Sequence, residues 1–385
     1  MATPGFRLGI EVEALLIPHD QKVIPLGKGL AEFASLITKS YNSMRDPKKN
    51  YSMRADIGRK YQGVEYQDWV LTNDITLKGD EKMMYMVEIV SPILKAEPYK
   101  GGWRSEINDM FKYLNTLCAV RSNRSCGFHV HLSPMGSSWS LKELQGISIA
   151  VIHFECAFEA LIPETRRGNQ FIRSNRFFGN ALLEDLQHSE CIKQIQLQKT
   201  VKDLAGLMSA DRYTTWNFEN LKEDYRKGTI EFRQPPGQTH ATGCLSWIEL
   251  AIDFVQSARR KDWHTKVKDY PQNVSGLRRF ISEGLVDGLS RECFLGPLLN
   301  SKDGIAKFVP KAPDYDTTLM AKKEKEDKKK NILMEKLKEN LKKELKNPQM
   351  WFTAYELSVM NIGSSGFFVA QGKVLSSVSI IGCAK

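Results

Sequence analysis

Residues 126–133 read Cys126-Gly127-Phe128-His129-Val130-His131-Leu132-Ser133. Apolar and polar side chains alternate strictly, which is the period of a half-buried strand. Phe128, Val130 and Leu132 fall on one face, His129 and His131 on the other. Three further segments repeat that division outward from this one. Arg7 to Glu13 sets Leu8, Ile10 and Val12 against Glu11 and Glu13, and Thr229 to Arg233 sets Ile230 and Phe232 against Glu231 and Arg233. Met86 to Val90 places Glu88 between apolar neighbours and stops at Ser91-Pro92.

Helical patterns separate these strands. Ile107, Met110, Phe111, Leu114 and Cys118 recur at helical spacing, residues 141–162 read as a largely buried helix, and Trp247, Leu250, Ala251, Phe254, Val255 and Ala258 make an apolar stripe. Strands with one polar face, and helices to cover the other, predict an α+β fold.

A solvated sheet face normally shows Lys, Thr, Ser and Gln. This one shows Glu11, Glu13, Glu88, His129, His131, Glu231 and Arg233. Carboxylates at i and i+2 lie about 7 Å apart and repel one another unless a cation neutralises them. Hard cations such as Mg²⁺ take oxygen ligands, with His adding a nitrogen. Taken together the residues predict a divalent-metal site. Taken singly, each pair also reads as a solvated edge or a cross-strand ion pair.

The ordered set Gly9-Ile10-Glu11-Val12-Glu13, Val87-Glu88-Ile89-Val90-Ser91-Pro92, Cys126 to Ser133 and Gly228-Thr229-Ile230-Glu231-Phe232-Arg233 resembles the amidoligase family, as does the Tyr213 to Asn217 segment. These are carboxylate–amine ligases with a glutamine-synthetase-like half-barrel of mostly antiparallel strands. The resemblance covers roughly residues 5–260. It implies that Glu11, Glu13, Glu88, His129 and Glu231 hold two or three Mg²⁺ ions, with Mn²⁺ as the alternative ion. Arg233 would contact the ATP phosphates and, with Glu13 and Glu231, serve catalysis, while His131 would face nucleotide or substrate.

Asp74 lies in a stretch similar to the family's Asp-x-Ser, with Thr76 in place of the serine, which implies a substrate contact. Asn217 and Arg173 are assigned to substrate and Arg176 to nucleotide; each reads equally as a cap, a turn or a basic loop. The implied reaction is ATP-dependent amide formation through an acyl phosphate, between a small-molecule or peptide carboxylate and an amine. Two alternatives stay open: another phosphoryl transferase on the same fold, acting on a guanidinium or carboxylate, and a non-catalytic basic binding protein.

Composition narrows the partners. Net charge is +10 over 385 residues, but Lys322 to Lys346 alone holds 11 lysines against 6 acids, so half of the excess is local and nucleic acid is disfavoured as a partner. The apolar run Ile147 to Phe154 falls well short of the roughly 20 residues of a membrane span, so no membrane association is expected. Arg7, Glu11 and Glu13 break up the N-terminus as a signal peptide. Seven scattered cysteines without a CxxC pair point to a cytoplasmic, reducing setting. There is no Walker loop.

The chain divides into a catalytic domain at 1–265, a helical extension at 266–320, a Lys/Glu-rich helix at 321–349 and a tail at 350–385. The charged helix reads first as a solvated surface helix, and could also pack on the domain or pair chains into a homo-oligomer. Every motif lies before residue 260, so deleting residues 321–385 is expected to spare the metal site and to act, if at all, on oligomeric state or solubility.

Overall fold

The structure is a computed structural model that describes residues 5–22, 24–58, 66–97, 101–178, 180–222, 228–260, 265–284, 292–300, 302–329 and 332. The Glu11/Glu13 segment is the middle of β1 (Phe6–Pro18), long enough to take different neighbours along each edge. One edge pairs with β4 (Tyr85–Val90) and β5 (Leu94–Ala96). The other pairs with β6 (Cys118–Arg121) and β7 (Phe128–Pro134). Beyond β4 lie β3 (Trp69–Thr72) and β2 (Met53–Ala55); beyond β7 lie β9 (Ile230–Phe232) and β8 (Trp216–Asn217). The sheet is open, its order is β2-β3-β4-β1-β7-β9-β8, and its pairs are antiparallel except β2 with β3.

The apolar face is the expected one. Leu8, Ile10, Val12, Val87, Ile89, Phe128, Val130, Leu132, Ile230 and Phe232 are all buried. Trp216 stacks on Phe232 with ring centroids 4.4 Å apart and meets Phe254 of α6 (Ala241–Ala258). The remaining helices are α1 (Leu30–Met44), α2 (Gly102–Leu117), α3 (Leu141–Leu161), α4 (His188–Leu197), α5 (Val201–Met208), α7 (Val274–Gly284) and α8 (Glu292–Leu299). Burying one such Leu, Ile or Phe contributes about 1.5–3 kcal/mol, so the sheet–helix layer outweighs any single polar contact in holding the fold.

α3 begins with a capping box: the Ser140 hydroxyl accepts from the Glu143 amide, and the Glu143 carboxylate accepts from the Ser140 amide. By length and composition α3 could cross a membrane, but most of it is buried as a core helix. The helix expected to include Cys118 ends instead at Leu117. Cys118 is extended and opens β6 while its side chain stays buried, so the apolar spacing continued across a change of backbone.

Within the expected helical extension, α7 and α8 are helices, but residues 302–316 run as an irregular strap. The strap is tied by amides donated from Phe308 to the Cys156 carbonyl, from Asp314 to the Gly168 carbonyl and from Asp316 to the Gln170 side chain. Residues 317–323 are helical. The described residues through Lys323 form one compact unit, and a second begins at Glu324, in which 324–329 and 332 are helical. The rest of the Lys/Glu run and the tail at 350–385 lie outside the described residues.

Candidate active site

Antiparallel partners project to the same side of a sheet, so register decides which polar groups meet. Glu13 lies opposite Glu88, and Glu88 opposite Thr72. Glu11 lies opposite His129. His131 lies opposite Glu231, and Glu231 opposite Asn217. All eight side chains belong to buried residues.

Both histidines reach the same two carboxylates. His129 Nδ1 is 3.1 Å from Glu11 Oε2 and 3.7 Å from Glu231 Oε1. His131 Nε2 is 3.2 Å from Glu11 Oε1 and 3.7 Å from Glu231 Oε1. Ligand atoms of Glu11, His131 and Glu231 all lie within 4.8 Å of one another. Neighbouring ligands around an ion with bonds of about 2.1 Å are separated by about 3 Å, so the three donors fit a divalent cation after small adjustments. The converging imidazole is thus His131, which the family resemblance assigns to nucleotide or substrate. His129 sits beside the same carboxylates and also 3.9 Å from Glu13.

Electrostatics divides the carboxylates. Burial, helped by Asp74 and Glu88, pushes Glu13 up to about 8 against the opposing pull of Arg166 and Arg233. Glu231 is also buried, which alone would raise it. Arg233, in contact with Glu231 Oε1, outweighs that and holds it well below the usual carboxylate range. Burial and then Arg233 lower His129 to about 4. Without a cation, then, Glu13 is an acid whose burial outweighs the pull of its arginine neighbours, while Glu231 is an anion held by Arg233.

A cleft opens beside this cluster, lined by Glu13, His129, Arg233, Asp74, Arg166 and Lys323 among others. Asp74 is seated by Thr76, whose amide and hydroxyl both donate to Oδ1 at 2.7 Å. Asn217 does not face the cleft freely: its amide donates to Glu231 Oε2 at 2.7 Å, and its carbonyl accepts from Glu219. Arg173 pairs with Asp211. The Arg176 guanidinium is carried to the Leu186 carbonyl, away from the cleft residues.

Two cleft cations carried no signal in the sequence. Arg166 closes a single 3₁₀ turn (Glu164–Arg166) after α3, and is buried with bonds to the carbonyls of Cys126 and Arg233. Lys323 bonds Asp74 Oδ2 at 2.5 Å and stands among a run of lysines that reads as a solvated face. This places one residue of the 321–385 segment in the cleft, although the candidate metal ligands all lie before residue 260.

Gly127 is the close approach in this cluster. Its amide donates to the Glu13 carboxylate, and a Cβ there would lie 2.5 Å from Arg166 Nη2, 3.0 Å from His129 Nε2 and 3.1 Å from Glu13 Oε2. Gly127→Ala is expected to cut turnover about tenfold or more while costing only about 1–2 kcal/mol of stability, because it displaces site groups rather than core. Steady-state kinetics beside a thermal melt checks this.

A family model described as "putative amidoligase enzyme" matches residues 4–255. No curated protein matches the chain.

Proposed function

The chain belongs to the amidoligase family, and on that premise we propose that it joins a carboxylate to an amine in an ATP-driven, divalent-metal-dependent reaction. The observation that carries the reading is the convergence of Glu11, His131 and Glu231 beside a cleft that also holds Arg233. The open antiparallel sheet with one polar face fits a glutamine-synthetase-like half-barrel. ATP and the ligase chemistry come from the family.

Glu11, His131 and Glu231 would hold a first ion, with His129, Glu13 and Glu88 bordering a second. Ions bound there supply charge neutralisation and Lewis-acid polarisation of phosphate oxygens. Arg233 is held by Glu231 with its charge at the cleft, where it stabilises charge developing on the transferred phosphoryl group. A carboxylate resists amine attack because its leaving group is poor; phosphorylation makes the leaving group phosphate. The substrate carboxylate attacks the γ-phosphorus, ADP leaves, and the amine then expels phosphate. Cys126 supplies no competing nucleophile, since burial pushes its thiol up. The described cysteines are all unpaired, which supports a cytoplasmic setting.

ADP release by the full-length chain with ATP and Mg²⁺, across panels of carboxylates and amines, tests the reading. Release that needs both substrates, and vanishes in Glu11→Gln, is expected. Sustained release with a carboxylate or guanidine alone would mean a kinase on the same site.

A further inference from the structure

Lys323 lies outside the residues that match the family model, yet its ammonium is seated in the cleft. Lys323 is 11% exposed and Asp74 8% exposed in their side chains, so the pair is largely out of solvent. The two oxygens of Asp74 have different duties. Oδ1 is saturated by Thr76 and fixes the rotamer, whereas Oδ2 meets the incoming ammonium. Lys323 and Thr76 together outweigh burial and hold Asp74 at about 2, so this carboxylate binds cations and is a poor base. What Asp74 holds is chemically a primary alkylammonium on an unbranched chain.

We propose that the pocket at Asp74 is the amine subsite of the cleft, that it takes primary alkylammonium groups, and that Lys323 fills it in the resting protein as an internal occupant. The inference rests on the ligase reading for its role, and on Asp74, Thr76 and Lys323 alone for its chemistry. The strap allows exchange. It is tied to the body by the Val274 and Ser275 amides, which donate to the Ala306 and Gly304 carbonyls, and by the bonds at Cys156, Gly168 and Gln170, while Lys323 lies in the helical stretch after them. An incoming amine competes with the Lys323 ammonium for Asp74 Oδ2, with the strap left in place. Branched, secondary or quaternary amines would not reproduce the contact, because it needs N–H donors on a narrow stem.

Calorimetric titration of n-butylammonium into the full-length protein, without nucleotide, tests this. Lys323→Ala is expected to bind it at least tenfold more tightly than wild type, and Asp74→Asn/Lys323→Ala is expected not to bind. Removing Lys323 leaves Asp74 buried without its cation, so a thermal melt is the second measurement: n-butylammonium should raise the melting temperature of Lys323→Ala and Lys323→Gln but not of wild type, and tetraethylammonium should raise neither. Equal weak binding in folded Lys323→Ala and wild type would overturn the proposal. So would failure of n-butylammonium to rescue the melts, since Lys323 would then be a fixed structural ion pair. Neither readout uses ATP, so failure of the ligase reading would show in ADP release and leave this result standing.

Discussion

Glu13→Gln is expected to lose turnover by on the order of 100-fold or more and, without divalent ions, to melt above the parent protein. The two effects share one cause. Glu13 is 6% exposed, faces Glu88 across the strands, and is pushed up to about 8. Between about 4.5 and 8 the folded chain binds a proton at this carboxyl that the unfolded chain does not, so stability falls as pH rises through that window. The neutral amide removes that cost while its carbonyl still accepts from the Gly127 amide. A gain of about 1–3 kcal/mol at pH 7–8 follows, shrinking toward zero below about pH 4.5. Urea titrations of both proteins in chelator across that range measure it. A stability loss at every pH would mean that Glu13 is structural.

Glu231→Gln should fall on both axes. Glu231 is 1% exposed and is the ion-pair partner of Arg233, itself 6% exposed. Removing the anion leaves a buried guanidinium without its main partner, a change that costs about 3–5 kcal/mol. The carboxylate is depressed, so its contribution is complete above about 4.5 and fades as pH falls. Turnover should vanish as well, since the same oxygens face His131 and His129. Pairing Glu231→Gln with Arg233→Met should restore part of the stability and none of the activity. Recovery of activity would remove Glu231 from the reaction. The contrast with Glu13 follows from register: both glutamates lie on one polar face, but only Glu231 has a guanidinium two residues along its own strand.

The polar face was legible because a strand's period of two assigns every side chain to a side. Once His129 and His131 share a face, Glu11, Glu13, Glu88, Glu231 and Arg233 join it by the same rule. Which histidine closes on Glu11 and Glu231 depends on register, and register is set by pairing between distant segments. Strand β3 was missed because Trp69 to Thr72 is buried on both faces and shows no alternation. Arg166 and Lys323 were missed for opposite reasons. One sits in a turn without periodicity; the other repeats its neighbours so closely that no pattern singles it out. The same ambiguity carried the α2 helix one residue too far, because Cys118 keeps an apolar side chain buried as helix passes into strand.

Isotope transfer tests the central claim most directly. Once ADP release identifies a carboxylate and amine pair, the carboxylate is labelled with ¹⁸O and the released nucleotide and phosphate are analysed by mass spectrometry. With Glu11, His131 and Glu231 gathered beside the cleft that Arg233 lines, the proposed ligase predicts attack on the γ-phosphorus, so one ¹⁸O should appear in inorganic phosphate with ADP as the nucleotide product. Label recovered in AMP, or phosphate free of label, would contradict the account.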